Sequence, residues 1–78
     1  MAKYRKKPVV VEAVQYNHPS TAPSGVFIGI GGEAWVVTIH GQAAKVVPGD
    51  WIISEVDGEH HYPCKPWIFE ATYEKVEG

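Results

Sequence analysis

Residues 46–73, VVPGDWIISEVDGEHHYPCKPWIFEATY, decide the fold. Pro48-Gly49-Asp50 reads as a corner, because proline fixes φ at the first turn position and glycine accepts positive φ at the second. Trp51-Ile52-Ile53 then opens a strand. Asp57-Gly58 is a hairpin signal that returns this strand through Glu59, His60, His61 and Tyr62. The hairpin runs into Pro63-Cys64-Lys65-Pro66. Beyond it Ile68, Phe69, Thr72, Tyr73 and Val76 recur at helical spacing, with Pro66 suited to the first helical position.

On the N-terminal side, residues 9–16, VVVEAVQY, are β-branched and interrupted by one charge. They predict a strand with apolar residues on both faces, as in a central rather than an edge strand. Residues 17–25, NHPSTAPSG, form a flexible loop by composition. Further strands are expected over 26–30, 34–40 and 43–47, separated by Gly29-Gly31-Gly32 and by a His40-Gly41-Gln42 turn. The glycines are not a dinucleotide-binding fingerprint, since neither the spacing nor a following helix is present. The expected fold is mainly β: a small antiparallel β-barrel or curled sheet of five or six strands with one short C-terminal helix. Residues 1–78 form a single domain, with residues 1–7 as a basic N-terminal tail.

Composition narrows the function. With 78 residues the chain can bury only one modest core, which makes a homo-oligomer the expectation. Hydrophobic residues make up 45% and charged residues 21%, and no apolar run approaches the roughly 20 residues of a membrane span. The first residues lack a signal peptide's apolar region, so a cytoplasmic location is expected. The single cysteine, Cys64, excludes an internal disulfide and suits a reducing compartment. A net charge of -2 argues against generic nucleic-acid binding. Four of the seven basic residues nevertheless precede Pro8, a patch able to hold a small anion.

Candidate chemistry is sparse. His60, His61 and Cys64, with His40 as a fourth donor, could make a tetrahedral zinc site, but neighbours on a strand point to opposite faces. No metal and no cofactor are assigned. Cys64 could be a nucleophile with a histidine base, yet a lone cysteine between prolines reads first as a small packing residue. Asp50 reads as a turn residue, since no second carboxylate stands at a spacing suited to paired acid–base work. No catalytic residue is assigned. Arg5 and Lys65 can clamp phosphate while Tyr62 and Trp67 stack on a base, and these four form the candidate ligand site. Trp67 and Phe69, two positions apart, point to different sides of the helix. One is expected on the body of the protein and the other on a neighbour.

The segments YRKKPVVVEA (residues 4–13), PGDWII (residues 48–53), YPCKP (residues 62–66) and IFEATYE (residues 68–74) together resemble a family of small hypothetical bacteriophage proteins. The resemblance covers about half the chain. Family members usually carry an acidic residue where Trp67 stands and an aromatic one at His61. The resemblance carries no activity label, but it implies a phage context in which small proteins counter host defence. The expected function is a counter-defence binding protein in the host bacterial cytoplasm, sequestering a phosphate-bearing nucleotide signal of host immunity without catalysis. The alternatives are a protein-binding inhibitor or accessory module, acting on a host immune protein through an exposed aromatic face, and a nucleotide-cleaving hydrolase.

Overall fold

The computed structural model describes residues 1–5, 9–17 and 23–76. Lys6 and Lys7 of the basic tail, and most of the loop expected over 17–25, lie outside them. Six strands and one helix follow one another: β1 (Ala13–Gln15), β2 (Phe27–Ile28), β3 (Ala34–Val37), β4 (Ala43–Val46), β5 (Trp51–Ser54), β6 (His61–Cys64) and α1 (Pro66–Thr72). They make two three-stranded antiparallel sheets, ordered β1-β5-β6 and β2-β3-β4. The sheets do not close into a barrel.

Register shows how the layers stack. In the first sheet Ile52 lies opposite Val14 and Pro63, so these three share a face. That face meets the second sheet, and Tyr16, Ala34, Val36, Val46 and Ile52 form the core between them. On the other face Trp51 lies opposite Gln15 and Cys64, and Ile53 lies opposite Ala13 and Tyr62. Helix α1 covers this second face: Phe69 stacks on Trp51 with ring centroids 4.1 Å apart and planes 9° from parallel. Both Ile52 and Ile53 are buried, each against a different layer. This explains why Trp51-Ile52-Ile53 is apolar without alternation.

Several boundaries differ from the sequence-based expectation. The strand expected over 9–16 is paired only at Ala13–Gln15 and stands at an edge of its sheet, because β5 takes the centre. β3 stops at Val37, where Thr38 begins a turn by donating its N–H to the Gln42 carbonyl at 2.8 Å. The return strand starts at His61, not Glu59. The Asp57 carboxylate accepts the N–H groups of Glu59 and His60, both at 2.9 Å, and so holds these residues in the loop. Pro63 falls inside β6, tolerated there because β6 is an edge strand. Helix α1 begins at Pro66 as expected and ends at Thr72, leaving Val76 beyond it. No helix among the described residues is long and apolar enough to cross a membrane.

Replacing Phe69 with alanine removes the ring that joins α1 to Trp51. The half-buried site should lose about 2–3 kcal/mol, less than a fully buried aromatic loses. Urea unfolding followed by tryptophan fluorescence measures it.

Candidate functional site

The densest arrangement of polar and aromatic groups surrounds the Pro48-Gly49-Asp50 corner. The Asp50 N–H donates to the Val47 carbonyl at 3.0 Å, and Gly49 takes φ +98, which together make a type II turn with proline and glycine in their favoured places. This turn is tied to the end of β1. Gly49 N–H donates to the Tyr16 carbonyl at 2.7 Å, Tyr16 N–H to the Asp50 carbonyl at 2.8 Å, and the Gln15 amide to the Gly49 carbonyl at 3.1 Å.

Asp50 is 2% exposed. One of its carboxylate oxygens accepts the Val47 N–H at 3.1 Å, and the Lys65 ammonium lies 3.1 and 3.4 Å from its two oxygens. A carboxylate withdrawn from water is stable only with such partners. Lys65 is therefore an internal counter-ion, its side chain 45% exposed. This bond joins the PGDWII segment to the YPCKP segment. Asp50 is thus a turn residue, as expected, and also the anchor of a long-range ion pair.

The other three proposed ligand residues are Tyr62, Trp67 and Arg5. Tyr62 points toward the helix side, where its hydroxyl and that of Tyr73 lie 3.0 Å apart and share a hydrogen bond. Burial first, and that hydrogen bond second, push the Tyr62 hydroxyl well above its ordinary pKa. Trp67 stands outward on α1, 68% exposed, while Phe69 faces the sheet and stacks also on Tyr73 at 5.0 Å. Arg5 is exposed in a segment without regular structure. Of the four residues proposed for phosphate clamping and base stacking, Arg5, Tyr62, Lys65 and Trp67, two are thus engaged within the chain: Lys65 with Asp50 and Tyr62 with Tyr73.

A cavity of about 480 Å³ does open on the helix side. Val9, Val10, Val11, Trp51, Phe69 and Tyr73 are among its lining residues. None of Arg5, Tyr62, Lys65 and Trp67 lines it. The sequence signal for this cavity was the apolar character of residues 9–11 on both sides of the strand expected there. A second cavity, about 340 Å³, lies on the opposite face of the first sheet between Glu12, Ser24, Ser54, Glu59 and His61.

The histidines and the cysteine do not converge. The His60 ring contacts the Asp57 carboxylate in the loop, whereas His61 packs over Gly25. Asp57, Glu59 and His60 bring potential metal-binding atoms within 4.8 Å of one another on the surface, without Cys64 or His61. Burial, followed by the charge of Asp50, raises the Cys64 pKa and keeps the thiol protonated at neutral pH. The chain matches no protein-family model, no curated protein and no solved structure.

These contacts can be measured in two ways. Lys65→Met should destabilise the chain by about 1–2 kcal/mol, less than a fully buried pair because the lysine is partly solvated. Asp50→Asn combined with Lys65→Met should cost less than the two single changes added, which a double-mutant cycle in urea reads. The Asp57–His60 contact should show in pH titration. Hydrogen bonds from the His60 N–H and ring, and from the Glu59 N–H, lower Asp57 from 3.8 to about 2, and Asp57 in turn raises His60 above 6.5. The Asp57 contribution is present above pH 3.8 and lost as pH falls through about 2, while the His60 contribution is present below pH 6.5 and lost as pH rises through its raised value. Proton NMR should find the His60 pKa above 6.5 and returning toward it in Asp57→Asn.

Proposed function

We propose that this chain is a protein-binding module that engages its partner through the outer face of α1. The observation that carries the reading is the opposed placement of two rings. Phe69 is locked between Trp51 and Tyr73, which anchors the helix, and Trp67 is held out on that anchored helix at 68% exposure. Ile68 beside it is also exposed. A large aromatic on a rigid support loses little conformational freedom on binding, and such residues dominate interface energies.

Sequestration of a nucleotide is favoured less. It relies on Lys65 and Tyr62, whose polar groups are already used by Asp50 and Tyr73. The resemblance to small phage proteins supports a protein of the infected bacterium as the target, with interference in host defence as the purpose.

The test is retention of host proteins from a bacterial lysate by the immobilised chain, compared among wild type, Trp67→Ala and Val56→Ala. Val56 is a distant exposed control in the β5–β6 loop. A specific protein retained by wild type and by Val56→Ala should bind Trp67→Ala about 30-fold or more weakly, as expected for an interface anchor. A nucleotide held in native mass spectrometry by wild type, and lost on Arg5→Ala, would instead return the assignment to sequestration.

A further inference from the structure

We propose that a second copy of this chain pairs with the free edge of β1, joining two three-stranded sheets into one continuous six-stranded antiparallel sheet. This surface is separate from the outer face of α1 and does not depend on the reading given to Trp67.

The hydrogen-bond register identifies the free edge. Ser54 N–H donates to the Glu12 carbonyl at 2.9 Å, and Tyr16 N–H donates to the Asp50 carbonyl at 2.8 Å. Residues 12, 14 and 16 therefore turn their backbone groups toward β5. In an antiparallel ladder the alternate residues face the other way, so Ala13 and Gln15 present N–H and C=O groups outward. Among the described residues no strand pairs with that edge.

This edge is guarded by the shortness of β1 and by Glu12, but by neither lysine nor proline. Exposed edges are ordinarily blunted by lysine, proline or a bulge, and residues 9–16 contain no lysine and no proline. They are instead VVVEAVQY, apolar on both faces, a composition common in central strands. Val9, Val10 and Val14 are exposed. A neighbour on the β1 edge resolves this mismatch between a central-strand sequence and an edge position.

A second copy is the favoured occupant because identical antiparallel strands pair about a two-fold axis, which satisfies both β1 edges at once. Centred on Ala13, the pair exchanges two hydrogen bonds between the two Ala13 residues and sets Val11 against Gln15. This register also separates the two Glu12 carboxylates, which a pair centred one residue earlier would place directly opposite each other.

Sedimentation equilibrium of the full chain from micromolar to millimolar concentration tests the proposal. Wild type should dimerise, and Ala13→Pro, which removes an outward N–H while leaving the β5 ladder intact, should be monomeric with unchanged tryptophan fluorescence. Because proline could unfold the chain, a second variant is needed: Ala13→Cys in a Cys64→Ser background. Hydrogen-bonded antiparallel partners have Cα atoms about 5.5 Å apart, a span that a disulfide bridges, so mild oxidation should yield a covalent dimer. A monomeric wild type at every concentration overturns the proposal. So does a dimer that dissociates on Trp67→Ala and gives no covalent product when the Ala13→Cys variant is oxidised.

Discussion

The Asp50 carboxylate is buried almost completely, and the chain is arranged to keep it satisfied. Its partners are the Val47 N–H before the turn and the Lys65 ammonium between β6 and α1, while the backbone carbonyl of Asp50 accepts the Tyr16 N–H at the end of β1. A carboxylate withdrawn from water is costly without partners, and the partial exposure of Lys65 holds the loss of that one partner to about 1–2 kcal/mol. Holding Asp50 in place therefore fixes the β4–β5 corner against the start of the helix. Gly49 lies close to Pro66 at this point, where a Cβ would be in ordinary contact with the proline ring.

The first sheet then works as a shared middle layer. One face supplies Tyr16 and Ile52 to the core with β3 and β4, and the other supplies Trp51 and Ile53 beneath α1. Neither covering layer is large. The buried apolar set is small, and many large apolar side chains remain at the surface. A chain of this size cannot hide more of them by itself. Its exposed aromatic on α1 and its open strand edge are two results of the same shortage of interior.

Much of the fold was legible because local rules act over a few residues. Pro48-Gly49 gives its turn type, Pro66 starts the helix, and the strands fall within the segments that glycine and proline signals mark off. Boundaries were harder wherever a side chain competed with the ladder. Asp57 takes the N–H groups of Glu59 and His60 and so delays β6. The candidate site was less legible still. Lys65 looks the same in sequence whether it faces a phosphate or a buried carboxylate 15 positions away, and only the approach of Asp50 separates the two.

A mainly β chain with one short C-terminal helix, its turn chemistry, and the opposition of Trp67 and Phe69 were all written in the order of the residues, because backbone preferences and side-chain periodicity are local. Three outcomes needed the assembled fold: the strands form two open sheets instead of a barrel, β5 displaces β1 to an edge, and Asp50 claims Lys65. Those outcomes depend on which surfaces meet, and contacts between residues far apart in the chain are not written in any short stretch of it.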